Sequence, residues 1–318
     1  MDPNSSLYPY EPGRTISFQV GRETGPTTTS ATIIQLLEAD LSCTMLVEVK
    51  DADLNGQFVL KLFDRRFASA IRKHCKAPPW NLDIEDKYRQ FVQDGDAFSL
   101  LKFCSETDDE DIRYDYLDDW NEQRREAYVQ HFCLKFYHSE TEVYRRLHHV
   151  QGTDIPRLFA EVRMPSHSNC SVAEEELISC PGVLLEYIRG FALSDLPEFA
   201  PRETWQWICD DAIRIVNDIG DHDIRNEDVK PRNCIVRKWK DSNGATHFKP
   251  VMIDFAQCVF RKEGQDDNDW RLWKAIVDEE GAIGVVMHGK ARRLGGGYHY
   301  EQSAQSLQLH KDFKSEGS

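Results

Sequence analysis

One dipeptide limits what this chain can fold into more than any other feature. Asn243-Gly244 sits between two largely apolar runs, 234–239 and 247–253. Asn-Gly is the strongest short-range hairpin signal, because both residues accept the positive φ of a type I′ turn. The runs should therefore pair as antiparallel strands. Pairing draws together what lies just outside them. On one side is Asn226-Glu227-Asp228-Val229-Lys230-Pro231-Arg232-Asn233; on the other, Val251-Met252-Ile253-Asp254-Phe255-Ala256. Asn233 and Asp254 are expected at adjacent strand ends, with Asp228 and Lys230 close by. Taken alone, the first stretch is a short pattern that an ordinary acidic loop could produce.

Three further stretches carry candidate residues, each with a plainer alternative. Gln57-Phe58-Val59-Leu60-Lys61-Leu62-Phe63-Asp64 reads as a strand interrupted by one lysine. The plain alternative for Lys61 is a surface lysine on an edge strand. Further on, Phe136, Val143, Tyr144 and Leu147 recur at helical spacing, and Glu140 lies one turn before Tyr144, on the apolar side. Glu142 points elsewhere and is the second choice; a solvated helix face is the plain reading of both. The third stretch, Gly182-Val183-Leu184-Leu185-Glu186-Tyr187-Ile188-Arg189-Gly190, reads as a buried strand closed by a glycine.

Together these stretches resemble the protein-kinase-like superfamily, and more narrowly the divergent kinase-like proteins of filamentous fungi. Asp228-x-Lys230-Pro231-x-Asn233 has the spacing of the kinase catalytic loop, and Ile253-Asp254-Phe255 falls where kinases carry D-F-G. The order of the stretches along the chain is also that of the family. The resemblance implies an α+β, two-lobed kinase-like fold, with a small antiparallel-sheet lobe and a shortened, mainly helical larger lobe. It implies binding of ATP with Mg²⁺ and transfer of the γ-phosphoryl group to a hydroxyl acceptor, a protein Ser/Thr or a small molecule.

Roles follow from the resemblance, residue by residue. Asp228 would take the proton of the attacking hydroxyl, and Lys230 would offset charge on the transferred group. Asn233 and Asp254 would hold the metal. Lys61 would contact the α and β phosphates and Glu140 would pair with it. Leu185 would back the adenine pocket, and Glu186, Tyr187 and Ile188 would offer backbone groups to the base.

Departures from the family pattern point to a second reading, a pseudokinase that binds nucleotide and acts as a scaffold. The turn expected to cover the phosphates is Glu38-Ala39-Asp40-Leu41-Ser42-Cys43, without glycine. A Cβ at each position keeps backbone amides farther from a phosphate. Asn226-Glu227 replaces the family's His-Arg, so activation through a phosphorylated loop is not expected. Ala256 stands where D-F-G has glycine, no A-P-E follows, and only 64 residues come after Asp254.

Composition narrows the partners. A formal net charge of −15 argues against nucleic acid, which needs lysine and arginine stripes. No apolar run approaches a membrane span, and the start lacks a basic segment followed by an apolar one, so a cytosolic or nuclear protein is expected. Nine cysteines without C-x-x-C pairs read as reduced thiols, Cys258 included, and no histidine group has metal-ligand spacing.

The chain divides, on this reading, into a flexible leader at 1–31, a small lobe at 32–190, a reduced larger lobe at 191–290 and a disordered tail at 291–318. The small lobe is expected to carry a helical insertion at about 65–133. Helices are expected at 84–92, 120–134, 136–147, 204–219 and 270–277, the fourth with an apolar stripe of Trp205, Ile208, Ala212, Ile213, Val216 and Ile219. The acidic stretch 106–119 reads as a solvated loop.

Overall fold

Alternating burial builds the first layer of the structure. In this computed structural model, which describes residues 9–21, 25–51, 53–164 and 171–316, strand β1 (Thr15–Val20) buries Ile16, Phe18 and Val20. Strand β3 (Cys43–Lys50) buries Cys43, Met45, Val47 and Val49, and β4 (Asn55–Leu62) buries Phe58, Leu60 and Leu62. A period of two puts these side chains on one face. With β2 (Thr27–Ala39), β5 (Leu158–Met164) and β6 (Cys180–Glu186), the strands form an antiparallel barrel in the order β1-β2-β3-β4-β6-β5. Each large side chain buried in its core, such as Phe18 or Leu60, contributes roughly 1.5–3 kcal/mol.

One expectation, the antiparallel sheet, is refined here, and one is corrected. The sheet is closed: Gln19 pairs with Arg163 and Val20 with Val162, joining β1 to β5. The leader is also largely structured, since all of β1 and the first part of β2 fall within 1–31. Residues 1–8 and 22–24 of that leader lie outside the described residues. The Thr27-Thr28-Thr29 run, which reads as flexible, is β-branched and pairs in full with β1.

The chain groups into two compact units: Met1–His138 with Leu158–Tyr187, and Ser139–Arg157 with Ile188–Ser318. The second therefore includes 139–157, a segment assigned above to the small lobe. In the first unit, helices Ser69–His74, Leu82–Gln93 and Asp96–Glu106 follow β4. Asn81 caps the second of these, its side chain accepting from Ile84 N at 3.0 Å. The helices expected at 120–134 and at 136–147 are one element, Glu122–Arg146, because no glycine or proline interrupts it. The acidic stretch is not wholly solvated: Asp109 starts a short helix and pairs with Lys135 at 2.6 Å.

The second unit contains helix Trp205–Gly220, which buries Trp205, Ile208, Ala212, Val216 and Ile219 as its spacing requires, with Ile215 in place of Ile213. Strand β7 (Gly190–Ala192) pairs with β9 (Cys234–Lys240), which pairs with β10 (Thr246–Met252). Gly190 begins a strand instead of closing one, since any Cβ there would strike the Val236 carbonyl. In the sequence between β7 and β9 comes β8 (Ile224–Asn226), which pairs with β11 (Cys258–Phe260) in a separate sheet. Helices Asp267–Val277, Glu279–Arg293 and Ala304–Glu316 complete an α+β chain.

The tail expected to be disordered is docked instead. Glu280 is buried and accepts from Tyr300 Oη at 3.0 Å, Ser303 N at 2.7 Å and Ser303 Oγ at 2.6 Å. One carboxylate thus captures the turn before the last helix, a long-range effect without a local signal. The eight described cysteines are buried and form no disulfide. Among the described residues no helix is long and apolar enough to cross a membrane.

Candidate functional site

The hairpin forms, but over the loop 241–245 and not on a two-residue type I′ turn, since Gly244 has a positive φ and Asn243 does not. Cys234 pairs with Met252 and Lys240 with Thr246, while Gly244 takes a φ of +80° and Asp241 Oδ1 accepts from Asn243 N and Ala245 N. Just beyond the ladder, Ile253 N donates to Asn233 O at 2.9 Å. That bond fixes the backbone of Asn233 beside the residue preceding Asp254, as the pairing of the apolar runs requires.

Asp228 is the hub of this strand end. Asn233 Nδ2 donates to Asp228 Oδ2 and to its backbone carbonyl, both at 2.9 Å, and Lys230 Nζ forms an ion pair with Oδ1. Because Nδ2 is used by Asp228, the acceptor end of the Asn233 amide, Oδ1, is left for a cation or other donor. Lys230 is partly exposed whereas Asp228 is nearly covered, so this ion pair is open to water on the lysine side and weak on its own account.

Asp254 is held differently. Its φ of +66° lies in the left-handed region, which costs a residue with a Cβ roughly 1–2 kcal/mol. The neighbouring bonds that enforce it are identifiable. Phe255 N donates to Glu140 Oε2 at 3.0 Å, Phe255 packs edge-on against Tyr144, and Cys258 N donates to Phe255 O at 3.1 Å. β11 then pairs with β8, whose last residue, Asn226, stands two before Asp228. The segments carrying Asp228 and Asp254 are therefore clamped together at both ends, by β9–β10 and by β8–β11.

Glu140 is fully buried, and the second choice, Glu142, is not: Arg145 and Arg146 hold it at the surface. The hydrogen bond from Arg145 is the largest influence on its carboxyl and holds it down at about 2. The helical stripe therefore picks the right glutamate for an interior position.

The remaining candidates belong to the first unit, apart from Ile188, which is buried in the second. Lys61 is 5% exposed on β4, opposite Thr44 on one side and Val183 on the other. A strand paired on both sides is no edge, so the surface-lysine alternative is corrected. Its Nζ lies 5.5 Å from the Phe63 ring centre. Leu185 is buried opposite Val59, Glu186 lies opposite Phe58, and Tyr187 is half-buried. Gly182 is required here, since a Cβ would come within 2.5 Å of the Lys61 carbonyl.

Two residues of the site escape a reading of the motifs. Asn226 is buried, and its Oδ1 accepts from Asp228 N at 2.9 Å, which sets the turn carrying Asp228. Asn-x-Asp in a turn is a signal for such a side-chain bond. Glu279 accepts from Asn226 N at 2.7 Å and from Lys274 Nζ at 2.9 Å. Nothing local identifies it, because its partner is 53 residues away.

No protein-family model matches this chain, and no curated protein matches it. Among solved structures it is similar to the Rio2 kinase of Chaetomium thermophilum in an ADP/Mg²⁺-phosphoaspartate complex, at 13% identity and a TM-score of 0.47, covering 87% of this chain and 60% of that one. A second structure of the same kinase aligns at 12% identity and a TM-score of 0.42, over 88% and 63% of the two chains. WbdD aligns at 12% and 0.36, over 94% and 48%. The chain spans less than two thirds of the length of each.

Proposed function

We propose that this chain is a kinase-like phosphotransferase that binds ATP and moves its γ-phosphoryl group to a hydroxyl acceptor. The observation that carries the reading is the clamp of Asp228, Lys230 and Asn233 beside Asp254, with Glu140 bonded to the backbone after Asp254. Phosphoryl transfer needs charge and positioning more than covalent help, and fixed polar groups at strand ends supply both.

In this reading Asp228 accepts the hydroxyl proton as the acceptor oxygen bonds to the γ-phosphorus and the bond to the β-phosphate oxygen breaks, releasing ADP. Asn233 orients the Asp228 carboxylate, while Lys230 exchanges Asp228 for the transferring group. Asp254 Oδ and Asn233 Oδ1 are the donors that fit Mg²⁺, an ion that takes one or two carboxylates and completes its shell with phosphates and water. When bound, the metal neutralises charge on the β and γ phosphates. Among the described residues no group of three or more His, Cys, Asp or Glu side chains could hold a metal. Lys61 is assigned to the α and β phosphates, and 185–188 to the adenine.

The scaffold reading has one observation in its favour. Asp40, in the glycine-free turn, is tied down by Ala70 N on its carbonyl at 3.1 Å and Ser69 Oγ on its side chain at 3.2 Å. A turn fixed this way lacks the freedom of a phosphate-covering loop. ATP binding measured by calorimetry with and without Mg²⁺, followed by phosphate release with candidate hydroxyl acceptors, separates the two. Mg²⁺-dependent binding with turnover supports the enzyme; tight binding without turnover supports the scaffold. Asp254→Asn should lose the Mg²⁺-dependent part of binding, and unchanged stabilisation by Mg-ATP in that variant would refute the metal assignment.

A further inference from the structure

β10 is the edge strand of its sheet, and its last residue, Met252, stands two before Asp254. The next amide along, Ile253 N, donates inward to Asn233 O; Met252 N points the other way and donates to Asp154 O at 2.9 Å. On the far side of Asp254, Phe255 N donates to Glu140 Oε2 at 3.0 Å. Glu140 and Asp154 belong to one stretch of the second unit, the end of helix Glu122–Arg146 and the loop after it. That stretch therefore grips the backbone on both sides of Asp254, the residue held at a φ of +66°.

The loop is built to transmit position. Asp154 N donates to Val150 O at 3.0 Å, Gln151 Nε2 donates to Tyr144 O at 2.9 Å, and Ile155 is wholly buried. Tyr144 in turn packs edge-on against Phe255.

The Asp154 side chain fixes the far end of the loop. Arg214 grips it with both terminal nitrogens, Nη1 to Oδ2 at 2.9 Å and Nη2 to Oδ1 at 3.0 Å, and Lys249 Nζ lies 2.8 Å from Oδ1. Asp211 accepts from the same two cations, from Arg214 Nε at 2.7 Å and from Lys249 Nζ at 2.9 Å. Arg214 and Asp211 come from helix Trp205–Gly220 and Lys249 from β10, so the network ties the loop to the elements on either side of it. A bidentate guanidinium–carboxylate pair sets direction as well as distance. Burial opposes ionisation of Asp154, yet the bonds from Arg214 and Lys249 hold its carboxyl below the ordinary range.

We propose that Asp154 is a positioning residue for Asp254: its side chain, locked by Arg214 and Lys249, places the carbonyl that holds Met252 and so sets where the Asp254 carboxylate stands. The consequence for nucleotide rests on the phosphotransferase reading above. Asp154→Ala is to be compared with the wild type by amide NMR without nucleotide, and by calorimetry with ATP in the presence and absence of Mg²⁺. The amide resonances of 252–255 should shift, and protection of the Met252 amide should fall about tenfold, the loss of one hydrogen bond. Mg-ATP affinity should fall about tenfold while metal-free ATP binding stays within about twofold, because the displaced group is the metal ligand. Asp154→Asn, which keeps an oxygen for Arg214, should restore most of both. Arg214→Ala, altered at the half-exposed partner, removes the same grip and decides the matter should the Asp154 variant fail to fold. Asp218→Asn, which removes another ion pair of Arg214, should leave both readouts at wild-type values. Unmoved amides in Asp154→Ala or Arg214→Ala would overturn the proposal. Displaced amides with unchanged Mg-ATP affinity would also overturn it, since that is the behaviour of a purely structural anchor. A wild type that binds no Mg-ATP would refute the nucleotide reading itself, and the amide shifts, which need no nucleotide, tell the two failures apart.

Discussion

Glu126 and Glu140 lie on one helix and both are fully buried, yet they hold different groups in place. Glu126, in the first unit, is gripped by Arg65 at 2.8 Å and by Arg72, with Glu85 neutralising the far side of Arg65. Glu140, in the second, accepts a hydrogen bond from a backbone amide next to a residue in a strained conformation. A buried charge surrounded by opposite charges is a fixture of the fold. A buried charge bonded to the backbone beside a left-handed aspartate controls where that aspartate stands. Burial alone, then, does not say whether a carboxylate anchors arginines or positions a backbone amide; the groups it holds do.

Substitution can break this comparison. Glu126→Ala leaves two buried guanidiniums short of a counter-ion, and removing one partner of such a group costs about 3–5 kcal/mol. Chemical denaturation should show that loss, while nucleotide affinity of the folded fraction stays at the wild-type value. A stability change below about 1 kcal/mol would mean that the cluster is hydrated and its charges weakly coupled. Glu140→Ala should cost less, about 1–3 kcal/mol for one unsatisfied buried N–H, but should also weaken Mg-ATP binding. Loss of stability without loss of binding would place Glu140 in the same structural class as Glu126.

The smallest expected effect is a titration. Burial opposes ionisation of Glu280, but its hydrogen bonds from Ser303, Asn217 and Tyr300 lower the carboxyl below its ordinary value of 4.5. The folded pKa lies below the unfolded one, so the stabilisation is complete above 4.5 and is lost as pH falls through the lowered folded value. Protection factors in 300–306, exchange measured relative to the unfolded chain at the same pH, should fall on acidification across that window, and Glu280→Gln should flatten the response. Protection independent of pH there would show that the tail is held by its other contacts.

What the sequence made legible was local. Asn243-Gly244 specified the hairpin and therefore the neighbourhood of Asn233 and Asp254, and the spacing of Trp205, Ile208, Ala212 and Val216 specified a buried helix. Glu140 over Glu142 followed from one apolar stripe. The misses share a cause. Closure of the barrel depends on Gln19 meeting Arg163, and docking of the tail on Glu280 meeting Ser303; neither pairing has a periodic or local signature. Asn226 was within reach, since Asn two residues before Asp228 is a turn signal in its own right. Glu279 was not, because a lone glutamate at a helix start says nothing of the backbone amide it will accept from.

The central claim is that Asp228 is the base of a phosphotransfer site and not one of its metal ligands. Wild type and Asp228→Asn should be compared in one experiment, with Mg-ATP affinity by calorimetry and phosphate release or autophosphorylation on the same samples. Affinity should agree within about threefold, while turnover falls by roughly 10²–10⁴, the share that general-base catalysis contributes. An active wild type with a variant of equal rate would contradict the assignment and move the base elsewhere, with Asp223 the next carboxylate to test.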